Sequence, residues 1–191
     1  MIRAIISDFD GTLVDTFEAN YAAYSLAFKQ YCLDLSKEQY RACFGLRFDA
    51  FMNDMKIADV NLRNKIKEEK ARVYPMCFSH LKPNIALINF INKAKLSGIK
   101  TAIASTAQRN NLMNVLKFLQ LEDLFDIIIA GDAVKEGKPN PEIYLTSMSQ
   151  LGVSPTETLV FEDTEVGILA AERSGANVVK ITENFYTNDG N

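Results

Sequence analysis

The sequence predicts an α/β fold: a doubly wound parallel sheet with a helical insertion after its first strand. Three observations predict it. Short apolar runs rich in Ile and Val recur along the chain, and most lack alternation, as expected of strands covered on both faces. Helical patterns separate the later runs, the order that builds a parallel sheet. Residues 16–80 contain no convincing strand, so the interruption is helical.

Taken in order, the strand runs are residues 3–7, 100–104, 127–130, 158–161 and 177–181. Residues 84–96 carry Leu87, Ile88, Ile91 and Ala94 at helical spacing, with Gly98 as the stop. Residues 111–119 carry Leu112, Val115, Leu116 and Leu119. A third helix spans 141–151, with Pro141 in its first turn and Gly152 after its end. A fourth spans 164–174 and ends at Gly175. Ser154-Pro155-Thr156-Glu157 has the spacing of a capping box before a short turn.

Within the insertion, Phe17, Tyr21, Tyr24, Phe28 and Tyr31 are spaced 4, 3, 4 and 3 residues apart, one face of a helix. That aromatic face is read as packing core. Leu62, Ile66 and Val73 mark a second helix stopped by Pro75, and residues 41–55 hold a turn between two shorter helices. The domain reading is a discontinuous α/β core, 1–15 and 81–191, and a helical domain, 16–80. Linkers fall near 13–16 and 79–84. Residues 187–191 read as a frayed end.

Composition narrows the function classes. The chain has 191 residues, enough for a core without staples. Apolar residues make up 48%, which excludes disorder. A net charge of -3 excludes a broadly basic nucleic-acid surface. Cys32, Cys43 and Cys77 are too few and too scattered for a disulfide framework, so a reducing compartment is expected. They also lack zinc-ligand spacing. His80 is the only histidine and has no motif around it. No secretory leader is legible and no apolar run approaches the ~20 residues of a membrane helix. The expected setting is cytoplasmic, with no membrane or nucleic-acid partner. Nothing in the sequence sets the oligomeric state, and a monomer is the default.

The polar chemistry sits at strand ends. The first strand runs into Asp8-Phe9-Asp10-Gly11-Thr12, the second ends in Ser105-Thr106, and the fourth ends in Glu162-Asp163-Thr164. Gly137-Lys138-Pro139-Asn140-Pro141 follows the third. The Asp8–Gly11 stretch is not a calcium loop, because its glycine stands fourth rather than sixth and a strand precedes it. In an open parallel sheet all carboxyl ends lie along one edge, and ligands bind where the strand order reverses. With the first and fourth strands adjacent there, Asp8, Asp10, Glu162 and Asp163 share a crevice flanked by Ser105 and Lys138. Four carboxylates cannot crowd together ionised without a cation. Magnesium suits such a set, since it takes carboxylates and keeps positions for phosphate. The arrangement is built to hold an oxyanion, with phosphoryl the natural candidate.

These motifs, in this order and across nearly the whole chain, resemble those of the haloacid-dehalogenase superfamily. The resemblance is strongest to small phosphatases and β-phosphoglucomutases with a helical cap inserted after the first motif. It implies a Rossmann-like core and a magnesium-dependent phosphatase acting on a small, sugar-phosphate-like metabolite, with β-phosphoglucomutase activity as the alternative. It also implies roles. Asp8 would attack phosphorus to give an aspartyl-phosphate, and Asp10 would act as general acid and then base. Ser105 would hold a phosphoryl oxygen, and Lys138 would steady that oxygen and Asp8. Magnesium would sit on Asp8, the carbonyl of Asp10 and Asp163, with Glu162 joining directly or through water. Gly11, Thr16, Asn20, Arg47, Thr106 and Gln108 would contact substrate, Thr106 through its backbone N–H and Arg47 from the Gly45 turn.

Departures from the branches separate the reactions. Dehalogenases lack the second acid, and phosphonate-cleaving relatives usually carry a small residue there, so Asp10 argues against both. Superfamily pumps need membrane-spanning helices. The chain shares Asp15-Thr16 with the mutases, but Asn20 stands where they carry histidine. Gln108 stands where they carry lysine, beside Arg109. Those two departures favour the phosphatase.

Overall fold

The computed structural model describes residues 1–182. The residues read as a frayed end, 187–191, lie outside that range. The chain divides into two compact units, Met1–Asp15 with the chain from Lys82 onward, and Thr16–Leu81.

The first unit is built on a parallel sheet of β1 (Ala4–Ser7), β4 (Lys100–Ala104), β5 (Ile127–Ile129), β6 (Thr158–Glu162) and β7 (Asn177–Lys180). Its order is β5-β4-β1-β6-β7, and every neighbouring pair is parallel. The chain therefore steps outward from β1 to β4 and β5, then returns to the other side of β1 through β6. The reversal lies between β1 and β6, where Ser7 faces Phe161 in register. Ala4, Ile5, Ile6 and Ser7 are all buried, which is why this strand carries no polar alternation.

Helices α5 (Ile85–Leu96), α6 (Arg109–Phe118), α7 (Glu142–Leu151) and α8 (Glu165–Arg173) fill the crossovers. Ile6, Ala102, Ala104, Ile143, Tyr144, Met148, Ala170 and Ala171 form a shared core between strands and helices. Caps fix the helix starts. Asn84 accepts from the Leu87 N–H at 3.0 Å and Thr164 from the Gly167 N–H at 3.1 Å. The Ser154–Glu157 box forms on a short 3₁₀ turn, with Glu157 accepting from the Ser154 N–H and hydroxyl. Two further strands, β2 (Val14–Asp15) and β3 (Lys82–Pro83), pair antiparallel where linkers alone were expected. Two residues carry no readable period, so the sequence does not announce them.

The second unit holds α1 (Phe17–Lys29), α2 (Lys37–Cys43), α3 (Phe48–Asp54), α4 (Val60–Val73) and a 3₁₀ helix, Tyr74–His80. The aromatic face is core, as expected. Tyr40 sits at its centre, with ring centroids 5.4 Å from Phe17, 5.7 Å from Tyr24 and 5.7 Å from Phe51. Tyr31 packs against this cluster from beyond the end of α1. Pro75 follows the last α-helical turn, as read, but the chain continues helically in 3₁₀ form through His80. Lys70 is buried under aromatic faces, its ammonium 3.6 Å from the Tyr74 ring centroid.

Candidate active site

The strand ends of the first unit gather most of the residues singled out by the sequence. Asp8 leaves β1 with its N–H bonded to the Phe161 carbonyl, so β6 fixes its height in the sheet. The chain then turns tightly. The Gly11 N–H donates to the Val14 carbonyl at 2.9 Å, and those of Leu13 and Val14 return to the Phe9 carbonyl. Gly11 has φ +92°, and a Cβ there would stand 2.3 Å from Asp163 Oδ2. Only glycine meets both demands. Thr12, fully buried, donates its hydroxyl to Asp163 Oδ1 at 2.7 Å.

One carboxylate oxygen from each of Asp8, Glu162 and Asp163 lies within 4.8 Å of the others. Lys138 Nζ reaches Asp8 Oδ1 and Glu162 Oε1, both at 2.5 Å, with its side chain 4% exposed. Lys138 is therefore not a surface lysine, although composition alone favours one. Its loop is braced from several sides. Glu142 accepts from the N–H groups of Lys135 and Glu136, Arg173 donates to the Pro139 carbonyl, and the Lys138–Pro139 bond is cis.

Glu162 is buried, which excludes a solvated role. Its Oε1 accepts from Lys138 and from the Tyr144 hydroxyl at 3.1 Å. Its Oε2 accepts from the Thr164 N–H at 2.9 Å and hydroxyl at 3.0 Å. A Cβ on Gly167 would stand 1.7 Å from Oε1. Because four donors hold this carboxylate, it cannot simply swing aside. Gly167→Ala is therefore expected to destabilise the protein by about 1–3 kcal/mol and to lower activity. A urea midpoint equal to wild type would contradict that reading.

Asp10 takes a different direction from the cluster. Ser105, also buried, points its hydroxyl at Asp10 Oδ2 at 3.4 Å. Its Oγ accepts from the Ala107 N–H at 3.0 Å, a local turn rather than a helix cap. Gln108, exposed, occupies the N-cap position of α6 instead. The Thr106 backbone packs closely on Gly131, where a Cβ would meet its carbonyl oxygen at 2.2 Å. Arg109 donates to the Ile128 carbonyl at 2.9 Å, so its guanidinium is engaged with the sheet end. Thr16, Asn20 and Arg47 belong to the second unit. Thr16 precedes α1 and Asn20 lies on it, both buried, and half-buried Arg47 precedes α3. His80 is exposed there.

The electrostatics ask for a cation. Burial pushes the Asp8 carboxyl well above its ordinary value; Lys138 opposes the shift, and Glu162 and Asp163 add to it. Burial raises Asp163 to about 6, with Thr12 opposing and Glu162 adding. Burial alone would lower Lys138, but Asp8, Tyr144 and Glu162 carry it well above the ordinary lysine range. The three ligand atoms that gather there are all carboxylate oxygens. That set fits a hard divalent cation.

The sign of the pH effect follows. An acid whose folded-state pKa is raised binds its proton more tightly in the folded state. Its contribution to stability is lost as pH climbs from the unfolded value, 3.8, through about 6 for Asp163. The loss at neutral pH is on the order of 2–3 kcal/mol. The metal-free protein should thus lose part of its stability between pH 5 and pH 7.5. Magnesium should raise the melting temperature more at pH 7.5, where it no longer competes with the proton. Equal shifts at both pH values would contradict this account.

Comparison with known proteins agrees with the motif order. The description "Haloacid dehalogenase-like hydrolase" matches residues 5–181. The chain belongs to that family. It is 33% identical over 180 residues to a "Phosphorylated carbohydrates phosphatase" of Thermotoga maritima, covering 91% of this chain and 82% of the relative. It is 28% identical over 190 residues to a β-phosphoglucomutase of Bacillus subtilis, covering 94% and 83%. Among solved structures, CbbY from Rhodobacter sphaeroides in complex with phosphate superposes with a TM-score of 0.85 at 27% identity, covering 99% of this chain and 90% of that one. The chain is thus an enzyme, a haloacid dehalogenase-type hydrolase whose relatives include phosphatases and a mutase. Among the described residues no helix is long and apolar enough to cross a membrane.

The sequence missed two participants. Tyr144 reaches Glu162 from α7, and Glu142 clamps the Lys138 loop. Pro141-Glu142-Ile143-Tyr144 reads as an ordinary helix start, and no signal in it marks either contact.

Proposed function

We propose that this enzyme is a magnesium-dependent phosphatase of small, sugar-phosphate-like metabolites, working through an aspartyl-phosphate on Asp8. One observation carries the reading: a buried carboxylate at the sheet reversal is held by a buried lysine, with a second acid beside a buried serine. A carboxylate nucleophile splits one hard displacement into two easier ones.

In the first step an Asp8 carboxylate oxygen forms a bond to phosphorus and the P–O ester bond breaks. The departing oxygen takes the proton of Asp10. In the second step Asp10 takes a proton from water as that water attacks phosphorus. The Asp8–phosphorus bond breaks, inorganic phosphate leaves, and both acids return to their starting states. Ser105 and the Thr106 N–H hold phosphoryl oxygens, and Lys138 balances the charge on Asp8 and the phosphoryl group. Asp8, the Asp10 carbonyl and Asp163 would hold magnesium, with Glu162 joining directly or through water. When bound, the ion supplies positive charge that offsets repulsion between Asp8 and an anionic substrate.

Residues 1–15 and 81–191 form the catalytic core in this reading. The helical domain, 16–80, is a cap that selects substrate with Thr16, Asn20 and Arg47, while Gly11 and Gln108 contribute from the core. A reducing, cytoplasmic setting belongs to the same reading.

The mutase relative gives a second reading a specific basis. Asn20 and Gln108 count against it. The deciding assay is phosphate release from sugar, nucleotide and small-acid phosphates with magnesium, including β-glucose 1-phosphate assayed for glucose 6-phosphate. Metal-dependent release, fastest among sugar phosphates, is the expected result. Rapid glucose 6-phosphate formation with little free phosphate would make the enzyme a mutase.

A further inference from the structure

Tyr144 is the largest fully buried side chain among the described residues and lies on α7, behind the strand-end cluster. Most of its ring belongs to the core with Ile143, Met148 and Leu151. Its hydroxyl does not. It donates to Glu162 Oε1 at 3.1 Å, the same oxygen that accepts Lys138. The Lys138 ammonium lies 5.0 Å from the Tyr144 ring centroid.

Lys138 is shared between two carboxylates at equal distance, Asp8 and Glu162. Where it sits depends on how strongly each one draws it. Glu162 Oε1 has two donors, and Tyr144 supplies one of them. Without that hydroxyl the oxygen is short of a partner in a buried setting, a costly state for a carboxylate. The nearest remedy is for Lys138, already in contact with that oxygen, to turn its N–H groups more squarely onto it, which draws the ammonium off Asp8.

We infer that Tyr144 is a positioning residue for phosphoryl transfer, its hydroxyl holding Glu162 so that Lys138 stays on Asp8. The inference rests on the reading of Asp8 as nucleophile and adds a residue that never touches substrate.

Tyr144→Phe keeps the buried ring and removes one oxygen, so the fold is retained and circular dichroism can verify it. Ser147→Ala is the control. It also removes a buried hydroxyl from α7, one bonded within the helix to the Ile143 carbonyl. In the full-length enzyme with magnesium, Tyr144→Phe should lower kcat by about 10–100-fold, the range of one hydrogen bond to a charged group. KM should change little. Ser147→Ala should leave kcat near wild type. A second readout needs no turnover. In ¹⁵N-lysine-labelled protein, the Lys138 Nζ resonance, identified by its absence in Lys138→Arg, should move in Tyr144→Phe and stay in place in Ser147→Ala. A kcat loss matched by Ser147→Ala, or an unmoved Lys138 signal, would overturn the inference. If wild type releases no phosphate from any substrate, the functional reading fails, and the resonance still decides the role of Tyr144.

Discussion

Asp8→Asn should reduce magnesium-dependent phosphate release by roughly 10⁴-fold or more, while raising the melting temperature of the metal-free protein at pH 7.5. The two effects have one origin. The amide matches the carboxylate in shape but cannot form an acyl phosphate, so the covalent step is lost. The same change removes a negative charge that the fold tolerates poorly, because Asp8 is buried beside Glu162 and Asp163. A raised carboxyl pKa means the ionised form is worse placed in the folded protein than in water, and neutralising it relieves that strain. Magnesium should then stabilise the variant less than wild type, since one ligand is gone. Steady-state phosphate release and thermal melts with and without chelator read both effects. Residual activity above a few per cent of wild type would remove Asp8 as the nucleophile.

Much of this arrangement is legible in the sequence. The parallel strands are where uninterrupted Ile and Val runs put them, with ends within about a residue, because strands covered on both faces leave such runs behind. Adjacency of β1 and β6 then brought Asp8 to Glu162 and Asp163, as strand-end placement requires. Lys138 needed more than local sequence, since a lysine between glycine and proline is usually exposed. What stayed hidden depended on three-dimensional phase. Tyr144 meets Glu162 across 18 positions, a contact set by how α7 lies on the sheet. Gln108, not Ser105, starts α6, and the serine hydroxyl turns to Asp10. Arg109, beside the missing mutase lysine, spends its guanidinium on the Ile128 carbonyl. Short-range chemistry is written in neighbouring residues, whereas these contacts are written only in packing.

Lys138→Met should abolish turnover as Asp8→Asn does, yet move stability the opposite way. Methionine fills much of the lysine volume without charge. Asp8 and Glu162 then remain buried with their shared cation gone, and breaking a buried pair from one side costs about 3–5 kcal/mol. The loss should be greater at pH 7.5 than at pH 5, where the carboxyls take up protons and the unpaired charge disappears. Urea unfolding of the metal-free variant at the two pH values measures this. A midpoint equal to wild type at pH 7.5 would mean that the ion pairs of Lys138 with Asp8 and Glu162 contribute nothing to the fold. Combining Lys138→Met with Asp8→Asn removes a charge of each sign, so the double variant should recover part of the stability lost in Lys138→Met alone. Recovery without activity would separate the two roles of this lysine. Its charge balances buried carboxylates in the resting protein, and in the proposed mechanism the same charge faces the phosphoryl group during transfer.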